Sequence, residues 1–159
     1  MRTGMFSVLM VTALAGGPML GQPEPSAHIA SWLQSYDAAF NAKDLGRLAA
    51  FYDPDVTIFE GGSTNDGWAD YRDNHLGPEL KEFEGLEFSH SRVKAHMLAR
   101  DGRAAYVTAE YRLKANVEGR EIDAAGLETL VLVRDEKDAW RIRHSHTSSR
   151  RKAPASPQK

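Results

Sequence analysis

With 159 residues, 42% hydrophobic and 26% charged, the chain can bury one core of ordinary size and is too short for two independent domains. A formal charge of -2 provides no electrostatic footprint for nucleic acid, which demands a clustered basic surface. Cysteine is absent, which rules out disulfides, thiolate metal sites, a cysteine nucleophile and a lipid-modified cysteine at a cleavage point.

Residues 1–21 have the layout of an export leader. Arg2 supplies a short positive region, Met5 to Leu14 an apolar run, and Ala13-Leu14-Ala15 a small-x-small cleavage pattern, with a second candidate cut after Gly21. The apolar run is too short to persist as a membrane span, and Gly16, Gly17 and Pro18 follow it at once. Export with cleavage to a periplasmic or secreted location is the expectation, without stable membrane insertion. Residues 22–26 read as a linker, and the basic, Pro- and Ser-containing residues 150–159 as a disordered tail.

Between them, Ser26 is placed to cap a helix in which Ile29, Trp32, Leu33, Tyr36 and Phe40 recur at helical spacing. Asp37 flanks that stripe and reads as helix surface. Asp44 starts a second, shorter helix, and Asp53-Pro54-Asp55 reads as the turn that ends it. Val56 to Glu60 alternates as a strand, with Val56, Ile58 and Glu60 on one face and Thr57 and Phe59 on the other. GGSTNDG, residues 61–67, has loop composition. A third helix carries Trp68, Tyr71, Arg72, His75 and Leu76 along one side until Gly77-Pro78 breaks it. Four strands follow as a meander, near 86–99, 104–117, 120–133 and 139–149, separated by Asp101-Gly102, Glu118-Gly119 and Asp135 to Asp138. The fold class is therefore α+β, a curved and mostly antiparallel sheet wrapped around three N-terminal helices. Leu127 to Val133 is apolar on both faces, and one layer of helices covers only one of them. A second copy on the outer sheet face, a homodimer, supplies the other cover.

The last strand, WRIRHSHTSSR, carries the strongest functional signal. Strict alternation puts Trp140, Ile142, His144, His146 and Ser148 on one face, a gradient from apolar to polar that suits a strand running from core into a cavity wall. His144 and His146 then stand about 6–7 Å apart, able to act as acid and base, to share a metal with Glu60 or His75, or simply to line a polar cavity. Glu60 ends its strand on the inner face, with Arg72 or a histidine as the expected partner. Tyr36, Tyr71 and His75 present polar tips from helices, while Trp68 packs on the sheet. Of Tyr106 and Tyr111, at most one is interior. No phosphate loop, GxSxG elbow or HExxH occurs, so no cofactor is expected.

NAKDLGRLAAFYDPDVTIFEGG after two apolar helices, a helix opening GWADYRDNHLGPEL, and the final WRIRHSHTSSR together resemble a SnoaL-like member of the nuclear-transport-factor-2-like superfamily, with a cystatin-like cone. The resemblance spans about residues 27–149 and implies a cone with frequent dimerisation through the outer sheet face. The superfamily includes isomerases, dehydratases, cyclases and epoxide hydrolases as well as association modules, so it does not assign a reaction. Dehydratase-type members pair histidines with tyrosines and an aspartate, and His144, His146, Tyr36, Tyr71 and Asp37 supply those residue types. The function expected is binding of a small, largely apolar molecule. A cofactor-independent lyase or isomerase would use His144, His146, Tyr71 and Glu60 as catalytic groups, with Tyr36, Trp68, His75, Trp140 and Ser148 lining the pocket. The alternatives are a noncatalytic dimerisation module and a metal pocket built from His144, His146, His75 and Glu60.

Overall fold

The computed structural model describes residues 25–149; the leader, most of the linker and the basic tail lie outside the described residues. Helix α1 (Pro25–Asn41) buries Ile29, Leu33, Tyr36 and Phe40, the stripe its helical spacing predicts. Helix α2 (Leu45–Leu48) is a single turn, capped where Asp44 accepts the Arg47 backbone N–H at 2.9 Å. Six strands follow: β1 (Tyr52–Glu60), β2 (Ser63–Asp66), β3 (Glu84–Met97), β4 (Ala104–Val117), β5 (Arg120–Arg134) and β6 (Trp140–Ser149). They form one sheet in the order β2-β1-β6-β5-β4-β3, in which only the β1–β6 pair is parallel.

The long strands alternate about a clear inside and outside. Val107 on β4, Leu130 and Leu132 on β5, and Trp140 and Ile142 on β6 pack against α1 in one apolar cluster. Among the described residues nine large side chains are under 2% exposed, on α1, at Leu48 and Leu76 and on the inner sheet face, and there the hydrophobic driving force acts. Leu127 points the other way and is 56% exposed, as is Phe59 to 42%. At the β4–β5 turn, Glu118 and Gly119 both take positive φ (51° and 78°), the geometry of a tight hairpin.

Four local expectations are corrected. Residues 63–66 are a short strand paired antiparallel with the end of β1, because the Gly61-Gly62 turn at positive φ returns the chain alongside it. Asp53-Pro54-Asp55 lies within β1 as an irregularity: Tyr52 is opposite Ile142 and Thr57 opposite His144, so four residues of β1 face one of β6. The helix opened by Trp68 does not break at Gly77. It runs from α3 (Trp68–Tyr71) through a π-helical turn (Arg72–Leu76) into α4 (Gly77–Glu82). Glycine is required there, since a Cβ on residue 77 would lie 2.4 Å from the Arg72 carbonyl oxygen.

The fourth correction decides the site. On β6, Ile142 is opposite Leu132 and His144 opposite Val131, so Arg143 is an extra residue, a bulge. Beyond it the alternation is inverted, and Ser145 is buried where a strict strand would bury His144.

Candidate functional site

The bulge turns His144 and His146 onto the outer sheet face with Thr57 and Phe59. Thr57 Oγ1 lies 2.7 Å from His144 Nδ1, and the Phe59 ring meets both imidazoles edge-on, at 5.0 and 6.0 Å. Ser148 is exposed beyond them. Trp140 is core, with the Arg134 guanidinium 4.4 Å from its ring centroid, and Trp68 stacks on Tyr52 at 4.6 Å. None of these five lines the interior cavity. Glu60, Tyr36 and Tyr71 do, and so does Tyr111 of the two strand tyrosines.

That cavity, about 50 Å³, lies between α1, the segment after β2 and the inner face of the sheet. Its volume admits a few waters or a ligand of a few heavy atoms, well below the ~150 Å³ that accepts benzene. At its base stands a group of residues the alternation of β6 alone does not reveal. His90 on β3 is essentially buried, its side chain 1% exposed. Its Nδ1 donates to Asp37 Oδ1 at 2.6 Å and its Nε2 to Glu128 Oε2 at 2.5 Å, while Ser145 Oγ donates to Glu128 Oε1 at 2.7 Å. The His90 backbone N–H also donates to Asp37, at 3.0 Å. Burial by itself would lower the imidazole's pKa. The two hydrogen-bonded carboxyl groups reverse that effect and raise it to about 9, so His90 is held as an imidazolium between them.

Asp37 therefore belongs to the interior and not to the helix surface. Helix α1 places Asp37 and Asn41 one turn apart, and both clamp the backbone of edge strand β3: Asn41 Oδ1 accepts from Phe88 N at 2.6 Å and its Nδ2 donates to Phe88 O at 2.8 Å.

The rim is built by the π-helical turn. Asn65 on β2 donates from Nδ2 to Asp70 at 3.0 Å, which leaves its Oδ1 to accept from His75 Nδ1 at 2.7 Å. His75 Nε2 thereby faces two carboxylates, Glu79 at 3.4 Å and Glu60 at 3.8 Å. Burial and the neighbouring Glu79 raise the Glu60 carboxyl above its ordinary range, with His75 opposing and Glu128 adding to the rise. Glu79 is raised by burial as well. Arg72, an expected partner of Glu60, instead pairs with Asp73 at 2.6 Å. Between rim and base, the Tyr36 and Tyr52 hydroxyls share a 2.7 Å hydrogen bond. Burial lifts the phenols of Tyr36 and Tyr71 well above their usual range, so both stay protonated donors.

No group of three His, Cys, Asp or Glu among the described residues is disposed to hold a metal ion. The four residues of the alternative metal pocket are split, His144 and His146 outside the sheet and His75 and Glu60 at the rim. Among the described residues no helix is long and apolar enough to cross a membrane.

The profile of the SnoaL-like domain matches residues 29–151, and so takes in every element that builds this cavity. The chain belongs to the SnoaL-like family. Its fold is that of the nuclear-transport-factor-2-like, cystatin-like superfamily. A superfamily member from Salmonella enterica superposes with a TM-score of 0.72 at 18% identity, over 85% of this chain and 97% of that one. A candidate ketosteroid isomerase from Shewanella frigidimarina gives 0.65 at 21% identity, covering 79% and 96%. A candidate scytalone dehydratase from Novosphingobium aromaticivorans gives 0.68 at 14%, covering 77% and 82%. At these identities the likeness is one of fold. No curated protein matches the sequence.

Proposed function

We propose that this SnoaL-like protein binds a small molecule in the cavity and moves a proton on it, as a cofactor-independent lyase or isomerase. The observation that carries the reading is Glu128, a buried carboxylate at the cavity wall fixed by Ser145 on one oxygen and by the His90–Asp37 pair on the other. Each of its oxygens keeps a further acceptor site, so it can take a proton from bound ligand. The Tyr71 phenol, kept protonated by burial, is the donor that would stabilise a developing oxyanion, with the Glu60 carboxyl beside it. A carboxylate base and a protonated phenol, in one water-poor space, form the pairing that proton transfer needs. The solved structures with ketosteroid-isomerase and scytalone-dehydratase descriptions lend support, since both descriptions name reactions of this class.

Deuterium exchange at the carbons flanking the carbonyl of butanone, followed by NMR in D2O, tests it. The wild-type protein is expected to accelerate exchange over buffer, and Glu128→Gln to lose about 100-fold or more of that acceleration. Equal acceleration by wild type and Glu128→Gln would overturn the assignment. A noncatalytic association module is the second reading, favoured by the exposed Leu127 and Phe59 on the outer sheet face. Dimerisation through that face is compatible with either.

The leader pattern adds export to the proposal: protein recovered from the native envelope or medium should begin between Gly16 and Gln22. An intact Met1 on that material would count against it.

A further inference from the structure

We propose that the ligand of this cavity is a small ammonium compound, its cationic head seated between Glu60 and Glu79 at the rim and its short apolar body lying among the tyrosines. The inference rests on the reading above that this cavity is the ligand site. Of the twelve residues that line it, three are glutamates and six are aromatic, and neither lysine nor arginine is among them. Basic side chains on nearby elements are taken up elsewhere: Arg72 by Asp73 at 2.6 Å and Arg112 by Asp123 at 2.8 Å. Two imidazoles remain, and each faces two carboxyl groups, His90 with Asp37 and Glu128, His75 with Glu60 and Glu79. Four carboxyl groups against two imidazoles leave the site short of positive charge even with both rings protonated.

The two ends of the cavity differ in how that shortage is met. At the base, Glu128 is satisfied on both oxygens by Ser145 and His90. At the rim, His75 is the one basic side chain among the described residues that faces Glu60 and Glu79, its Nε2 at 3.8 and 3.4 Å, so Glu60 has no donor within hydrogen-bond distance. Burial and the Glu79 charge raise the cost of ionising Glu60. A ligand ammonium supplies three donors and one charge to those oxygens, and relieves the repulsion that an anionic or neutral head would leave in place. Immediately inside, the rings of Tyr71, Tyr52 and Tyr36 offer negative π faces and phenol oxygens to the adjoining carbon chain. An ammonium with a two- to four-carbon body is the chemistry that matches both the charge and the roughly 50 Å³ of space.

Three compounds of one body and different heads decide it: propylammonium, 1-propanol and propionate, titrated into the full-length protein by NMR at pH 7. Propylammonium is expected to bind at least about tenfold more tightly than 1-propanol, with propionate showing no saturable binding, and to shift ring resonances of Tyr71 and Tyr52. Glu60→Gln with Glu79→Gln should weaken propylammonium by about tenfold or more and 1-propanol by less than about twofold. Should that double variant lose its fold, Glu79→Gln alone, at a half-exposed position, is expected to weaken propylammonium by at least about threefold. Propanol or propionate binding as tightly as the amine, or amine binding that survives the loss of both carboxylates, would overturn the inference. Butanone exchange without amine preference defeats this inference alone, while amine binding without exchange defeats the catalytic reading alone.

Discussion

Replacing His90 by Gln removes a charge whose stabilising effect depends on pH, and the structure fixes the direction and size of that dependence. The imidazole is buried, holds two carboxylates at 2.5 and 2.6 Å, and has its pKa raised to about 9. In the unfolded chain it titrates near 6.5. A folded pKa above the unfolded one means that the folded state binds the proton more tightly. The stabilisation is therefore complete below about pH 6.5 and is lost as pH rises through about 9. The gap between the two values corresponds to about 3 kcal/mol, most of which disappears between about pH 6 and pH 9. For a domain with a urea slope of about 1–3 kcal/mol per molar, the wild-type midpoint should fall by about 1–3 M over that range. His90→Gln should begin less stable at pH 6 and change far less on the way to pH 9. The window stops short of the phenols, whose unfolded-state titration near pH 10 would add a second loss. Parallel midpoint curves for wild type and His90→Gln from pH 6 to 9 would refute the reasoning, as would an imidazole resonance of His90 that titrates near 6.5.

Gly77→Ala should destabilise the domain by about 1–3 kcal/mol, because the added Cβ would meet the Arg72 carbonyl oxygen at 2.4 Å; an unchanged urea midpoint would show that the π-helical turn relaxes without cost. Leu127→Asp should leave the fold intact and yield a monomer in sedimentation at micromolar concentration, whereas Leu130→Asp, buried on the inner face, should unfold the chain. A wild-type chain that already sediments as a monomer would remove the dimer from the proposal.

The fold was legible because its signals are local and repeated. The stripe Ile29, Leu33, Tyr36, Phe40 specifies the buried face of α1, and the turn residues Glu118-Gly119 bound two long strands whose alternation is nearly regular. Part of the site was legible by the same means: Val56, Ile58 and Glu60 do share the inner face, and Glu60 does reach the cavity. His90 and Glu128 were open to that logic too. His90 follows Leu86 and Phe88 on one side of β3, and Glu128 precedes Leu130 and Leu132 on one side of β5, so in each case apolar neighbours mark the polar residue as interior. A charged residue among leucines is easily counted as an interruption of an apolar run, when its parity places it on the interior face.

His144 and His146 escaped prediction for a different reason, since a single unpaired residue reverses everything beyond it. The bulge at Arg143 is held in place by contacts distant in sequence: its guanidinium donates to Asp53 Oδ1 at 3.2 Å and to the Asp55 carbonyl. Those acceptors lie in the irregular stretch of β1, directly across the parallel pairing that connects Tyr52 to Ile142 and Thr57 to His144. The two irregularities thus fit each other, Asp53-Pro54-Asp55 opposite Arg143, and each makes room for the other. Read singly, DPD is a turn and WRIRHSHT is an uninterrupted strand. Read as partners, they announce a register change at one place in the sheet, and the consequence is chemical: the wall of the cavity receives Ser145 and Thr147, small hydroxyls beside Glu128, where regular pairing would have filled it with two imidazoles.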